Sequence, residues 1–337
     1  MAVPDLTLEP LWSMVTHQTV PSMAQCGGLL VCPARHSKLI ALDFTTGHER
    51  WRANVLSPWG NLALSATHAY YLNQYSRLDA FDLRSGTQAW STELPGTFGW
   101  LHADEHSVVA GAWRNYAPLT CLEASTGQRR WTVPLGRERV WRTAIYAPLQ
   151  AVAVLQETEG RIRWFSLHGR AELQALTLGG LRAESIDFIP TGVFGQETRG
   201  LLLRAGAGDF YRLTGHPVSV EHHRTRQDLL SSQLDERDGQ VFFLNRQRAF
   251  CAYDLQKQRT LVMEQVDHQR ADHLPARKLA DGTYLLGTSM GTLWHFDAAG
   301  KRISRRRVGK RVTTDLFTDG RTIAFGTASG TVLGFQC

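Results

Sequence analysis

Seven cations fall within eleven residues: Lys301, Arg302, Arg305, Arg306, Arg307, Lys310 and Arg311, with no acidic residue among them. The 337-residue chain has a formal net charge of +6, so removing these seven (6 − 7) leaves −1. The basic excess, and with it the isoelectric point of about 9.2, is therefore a property of one segment. Such a cluster can attract the phosphates of a nucleic acid or the acidic face of a protein. It can also be a solvated edge strand, where like charges block pairing with another sheet. No aromatic residue interrupts the run, which weighs against a site that stacks single-stranded bases.

Three tryptophans form a second candidate set. Trp59, Trp100 and Trp141 are 41 residues apart each time. Exposed on a common rim they would dock a partner, because tryptophan is a favoured interface anchor. Turned inward they would cap the core of their own units. Both readings fit the spacing.

Residues that could perform bond chemistry are sparse. Gly287-Thr288-Ser289-Met290-Gly291 matches G-x-S-x-G, but a nucleophile elbow needs a strand-to-helix turn. Here the match sits between two strand-like runs and recurs as Gly326-Thr327-Ala328-Ser329-Gly330 with the serine displaced. It reads as a turn. His222-His223 and the pair His268 and His273 lack zinc-site spacing and read as surface residues. The five cysteines (Cys26, Cys32, Cys121, Cys251, Cys337) are odd in number and contain no C-x-x-C, which fits reduced thiols. No catalytic, cofactor-binding or metal-binding residue is assigned.

The scaffold that must position these groups is spelled by a repeat of about 40 residues, a period that marks propellers and solenoids. Trp12, Trp51, Trp90 and Trp131 recur at intervals of 39, 39 and 41 residues. Three of them close the same phrase, which runs from Asp43, Asp82 and Glu123 through Gly47, Gly86 and Gly127. Glycine tolerates the positive φ of a tight hairpin, and the acid is placed to accept turn amides. Short apolar runs such as Leu29-Leu30-Val31 and Tyr70-Tyr71-Leu72 read as buried strands and number eight, as do the acid-turn positions. Later units place Gln174, Val220, Val262 and Arg305 at the tryptophan offset, so the ladder of tryptophans is incomplete.

The last unit stops at Cys337 without a final strand, and Leu11–Val15 precedes the first full unit. The economical arrangement is a ring in which the N-terminal strand completes the last blade and removes the open sheet edges. The expected fold is thus all-β: one domain over 1–337, an eight-bladed β-propeller with four-stranded antiparallel blades. The basic run falls on the outermost strand of the seventh blade. Arg142 and Arg182, at the start of successive inner strands, would with Arg311 make the channel mouth positive.

The phrase A-x-D-x-x-[TS]-G-x-x-x-W resembles the tryptophan-docking motif of PQQ-like repeat β-propellers, found in quinoprotein alcohol dehydrogenases and in BamB-like proteins. That resemblance implies a scaffold in which Trp12, Trp51, Trp90 and Trp131 pack between blades. It implies a channel quinone with calcium, a catalytic aspartate and vicinal cysteines only for the dehydrogenases. This chain has no Cys-Cys pair, so no PQQ and no other cofactor is expected. Nor is membrane insertion expected: no stretch is apolar enough to span a bilayer. Met1–Asp5 shows no basic or apolar leader region, so a cytoplasmic location is expected. The expectation for function is a non-catalytic, bacterial-type scaffold that offers loops, channel rim and basic edge to a protein partner. A channel-binding enzyme or ligand sensor is one alternative, and a propeller that binds nucleic acid through 301–311 is the other.

Overall fold

The computed structural model describes residues 10–336, apart from 97–98, 112–117, 137–139, 157–160, 179–187, 192–199, 206–207, 231–234, 238 and 269–274. Eight antiparallel sheets of four strands make up the chain. Blades 1 to 7 occupy residues 24–54, 60–93, 100–133, 140–177, 188–224, 235–265 and 276–307, each in simple chain order from innermost to outermost strand. Blade 8 takes three strands from the C-terminus and its outermost strand, Trp12–Val15, from the N-terminus. Trp12 lies opposite Gly334 and Val15 opposite Thr331, so the ring closes as expected. Among the described residues helix is confined to one 3₁₀ turn, Ala147–Leu149.

Burial explains the strand sequences. In blade 1 the second strand, Leu29–Ala34, and the third, Lys38–Asp43, are buried on both faces because each blade is covered by two neighbours. They are accordingly apolar without alternation. The outermost strand, Glu49–Asn54, alternates, with Trp51 and Ala53 turned inward. That period of two is the signature of a strand with one face in water.

The turn from third to fourth strand carries the repeated phrase. Asp43 Oδ1 accepts the amides of Thr45 (3.1 Å) and Thr46 (2.9 Å), and Asp82 accepts those of Arg84 (3.1 Å) and Ser85 (2.8 Å). Gly47, Gly86 and Gly127 have φ of 69°, 71° and 69°. A neighbouring blade's tryptophan lies on each. A Cβ at Gly47 would sit 2.4 Å from the Trp12 ring, at Gly86 2.7 Å from Trp51, and at Gly127 2.5 Å from Trp90. Glycine is required there by conformation and by space. Trp51 Nε1 donates to the Leu83 carbonyl at 2.7 Å, and Trp90 Nε1 to that of Ala124 at 3.0 Å. Trp131 instead packs on Phe165 with ring centroids 6.5 Å apart, and Arg170 stands in the next turn where these turns have their glycine.

The register corrects the expected ladder. In blades 1 to 3 the tryptophan pairs with the residue two before the acid: Trp51 with Ala41, Trp90 with Ala80, Trp131 with Cys121. A bulge beside the turn supplies the extra residue that makes this possible. In blades 4 and 6 the bulge has moved inward, and in blade 7 the turn is one residue shorter, with Asp297 N bonded to Lys301 O rather than to the fifth residue on. The equivalent positions are therefore Leu173, Leu261 and Ser304, one residue earlier than Gln174, Val262 and Arg305. A slip of one residue exchanges the two faces of a strand; Val262 and Arg305 point to solvent while Ser304 is buried. In blade 5 the third strand runs on to Thr214, so Glu221, not Val220, takes this position.

Candidate functional site

Near the axis, polar side chains tie blades 7, 8, 1, 2 and 3 each to the next. Ser22 Oγ donates to the Gly60 carbonyl (3.3 Å), Asn61 Nδ2 to Gly99 (2.7 Å) and Arg277 Nε to Leu316 (2.7 Å). Thr313 Oγ1 donates to Val20 (2.7 Å) across the closure. These bonds satisfy backbone carbonyls where the chain enters the innermost strands. They hold one end of the ring rigid around a cavity of about 280 Å³ bordered by Ser22, Met23, Asn61, Trp100, Thr314 and Asp315. None of the described residues lining this cavity is Lys or Arg. The described part of this lining offers one carboxylate, Asp315, and no cation to a quinone carrying several carboxylates.

The tryptophans expected to share one environment do not. Trp59 precedes the innermost strand of blade 2 and is 50% exposed. Trp100 begins that of blade 3 and packs partly on the cluster containing Val109 and Trp131. Trp141 lies in the innermost strand of blade 4, but its side chain, like that of Arg142, is outside the described residues. Arg182 is outside them altogether.

Trp59 has neighbours that sequence reasoning missed. Its carbonyl accepts the Gln74 amide at 3.2 Å, which joins the entry to blade 2 to the turn between that blade's second and third strands. Tyr75, next in that turn, is 64% exposed, and Leu56, three residues before Trp59, is 55% exposed. An uncovered Leu, Trp and Tyr thus lie in the two neighbouring loops at the end of the ring where the innermost strands begin. The one sequence signal was Tyr75 itself, an aromatic residue in a turn position that polar residues usually fill.

The basic segment divides in two. Its outermost strand, Arg302–Arg307, turns Arg302 against blade 6, where it pairs with Glu264 at 3.2 Å and covers the Trp294 ring at 5.6 Å. Arg305 also lies over Trp294 (5.9 Å), and Arg306 over Phe335 of blade 8 (5.8 Å). Lys301, Arg305, Arg307 and Lys310 are exposed; Arg311 is half-buried. Aromatic rings absent from the run itself are thus provided by neighbouring strands, and Arg302 and Arg306 serve packing as well as charge.

Other candidates resolve as framework. Burial pushes the thiols of Cys32, Cys121 and Cys251 up to about 12, far from the reactive thiolate range. Cys26 and Cys32 are free and lie on adjacent strands. Two histidines expected at the surface are buried. His223 stacks on Phe210 at 5.0 Å, and His268 Nδ1 accepts the Ser289 amide at 3.1 Å. His273 lies outside the described residues. Among the described residues no group of three or more His, Cys, Asp or Glu is arranged to hold a metal.

Comparison with known proteins matches this architecture. The family model described as outer membrane protein assembly factor BamB matches residues 6–132 and 74–307. No curated protein matches the sequence at a significant level. Among solved structures, BamB from Moraxella catarrhalis superposes with a TM-score of 0.70 at 16% identity, covering 98% of this chain and 100% of that one. The computationally designed Ika8 protein gives 0.73 at 16% identity, covering 97% and 99%. The quinohemoprotein alcohol dehydrogenase from Comamonas testosteroni gives 0.67 at 14% identity, covering 99% of this chain and 78% of the other. At such identities the structures share a fold with this chain, and an enzyme, an assembly factor and a designed ring share it equally. On the family match over most of its length, the chain belongs to the BamB-like family of PQQ-like repeat β-propellers.

Proposed function

We propose that the protein is a non-catalytic interaction scaffold whose partner-binding surface is the end of the ring carrying Leu56, Trp59 and Tyr75. The observation that carries this reading is the exposure of those three side chains together on a rigid junction. Exposed large apolar groups close together on a fold mark interaction sites, and Trp and Tyr are enriched among the residues that carry binding energy. The rigid ring removes the ordering cost that a flexible loop would carry on binding. The description of the matching family as an assembly factor supports a protein partner. The exposed cations Arg305, Arg307 and Lys310 form a second surface, suited to steering an acidic partner. A cytoplasmic setting belongs to the same proposal, and the free thiols are in keeping with it.

The test is affinity capture from the cells that encode the protein, with the wild type beside a Trp59→Ser/Tyr75→Ser variant. Loss of a defined protein partner from the variant supports the reading. Identical capture by both proteins, or co-purification of nucleic acid alone, counts against it.

A further inference from the structure

The outer edge of blade 7 carries an open row of backbone groups. Arg302–Arg307 is the outermost strand of its sheet and pairs only with Thr292–Phe296. Just beyond it, the Val308 amide donates to the Gly291 carbonyl at 2.8 Å. Thr292 lies opposite Arg307, so Gly291 and Val308 face each other as a hydrogen-bonded pair. Bonded and non-bonded pairs alternate along an antiparallel ladder. Ser304 and Arg306 therefore bond inward, while Arg305 and Arg307 turn their N–H and C=O away from the blade. Arg305 and Arg307 are also the two residues of this strand whose side chains are exposed.

Each blade ends in such an edge, and charge sets this one apart. By the same alternation the outward residues are Arg52 and Asn54 in blade 1 and Ser91 and Glu93 in blade 2. Arg52 is met by Glu49 of its own strand at 2.5 Å, and Arg50 by Asp43 at 2.6 Å. Of the seven cations between Lys301 and Arg311, only Arg302 has an acidic partner among the described residues, Glu264 of blade 6. Like charges keep this edge from pairing with a second copy of itself. The same charges favour a strand of opposite sign.

We propose that the outer edge of blade 7 binds an extended acidic segment of a partner protein by adding it as a fifth, antiparallel strand. The N–H and C=O groups of Arg305 and Arg307 pair with alternate residues of that segment. Those residues lie directly opposite the two arginines, with side chains on the same face, and as Asp or Glu they meet the guanidinium groups. The partner's signature is thus an acid at every second position of an extended stretch, with main-chain bonds for affinity and side chains for specificity. This rests on reading Arg305, Arg307 and Lys310 as a second surface for an acidic partner. Trp59 and Tyr75 stand on blade 2, so the two surfaces can fail separately.

The probe is a fluorescein-labelled peptide of alternating glutamate and threonine, read by fluorescence anisotropy against the full chain at low salt. Two N-methylated forms keep its charge. Methylating the glutamate amides, which face the edge, is expected to weaken binding at least about tenfold. Methylating the threonine amides, which face away, should leave it unchanged. Arg305→Glu/Arg307→Glu, folded by circular dichroism, is expected to bind the peptide at least about tenfold more weakly and to gain its lysine-for-glutamate counterpart. Trp59→Ser should change nothing. The proposal is overturned if the peptide does not bind at about 1 mM. It is also overturned if methylating the glutamate amides leaves binding unchanged, which would show adsorption to the cations alone, or if the charge-reversed variant binds the acidic peptide as the wild type does. Binding of a short DNA duplex without binding of the peptide overturns it in favour of nucleic acid. Arg305 lies over Trp294; should the double variant fail to fold, Arg307→Glu alone decides the matter in the same way.

Discussion

Trp12 lies over Gly47, and with that contact the first strand of the chain joins its last blade to its first. The indole belongs to blade 8 by hydrogen bonding and to blade 1 by packing. Removing it is expected to loosen the ring at its seam. Trp12→Ala should cost about 3 kcal/mol in urea unfolding, near the low end for a tryptophan truncation because the ring is only partly buried. An open seam also exposes strand edges, so the variant should aggregate at lower concentration. Unchanged stability would mean that the closure is held elsewhere.

Glycines under the tryptophans should be intolerant where a turn glycine with open space above it is not. Gly86→Ala meets both a φ of 71° and the Trp51 ring, and is expected to cost about 2–4 kcal/mol. Gly169→Ala meets nothing within 4 Å and should stay within about 0.5 kcal/mol of wild type. Denaturant melts of the two variants give the comparison directly.

The indole nitrogens offer a finer contrast. Trp51→Phe leaves the Leu83 carbonyl without its 2.7 Å partner and should cost about 1–2 kcal/mol. Trp131 Nε1 has no partner among the described residues. Trp131→Phe should therefore cost about 1 kcal/mol less than Trp51→Phe. Equal losses would show that volume, not the hydrogen bond, dominates at both sites.

Acid should attack the turns. The Arg50 guanidinium bonded to Asp43, helped by the Thr46 amide and hydroxyl, holds that carboxyl at about 2 against an ordinary 3.8. A folded value below the unfolded one means that the stabilisation is present above about pH 4. It is lost as pH falls through 2. Asp43→Asn should therefore flatten the dependence of stability on pH between 4 and 2, measured by urea melts across that range. An unchanged slope would assign the acid sensitivity to other carboxylates.

Much of this framework could be read from residue spacing. Asp43, Gly47 and Trp51 announce their turn because the same glycine and tryptophan recur after an acid three times, as Asp43, Asp82 and Glu123. Trp12 announces the ring because the last unit lacks a strand that the first residues can supply. In blades 4, 6 and 7 the tryptophan position falls one residue earlier than the spacing predicts, because neither a displaced bulge nor, in blade 7, a shorter turn leaves a trace in composition. Leu261 and Ser304 look no different from their neighbours until the register is known. The proposed interaction surface was half legible. Trp59 stood out by its period, yet its period matched that of Trp100, and only the fold separates an exposed side chain from one laid against a core. Tyr75 comes beside it through a loop contact that no local pattern encodes, the Gln74 amide on the Trp59 carbonyl.

The central claim is that the Leu56, Trp59 and Tyr75 face binds a protein partner. The most direct measurement is the affinity of the captured partner, purified, for the wild type and for Trp59→Ser/Tyr75→Ser. A drop of about 30-fold or more, as for interface hot spots, is expected, with an unchanged melting temperature. Equal affinity in a folded variant would contradict the claim and move the binding surface elsewhere on the ring.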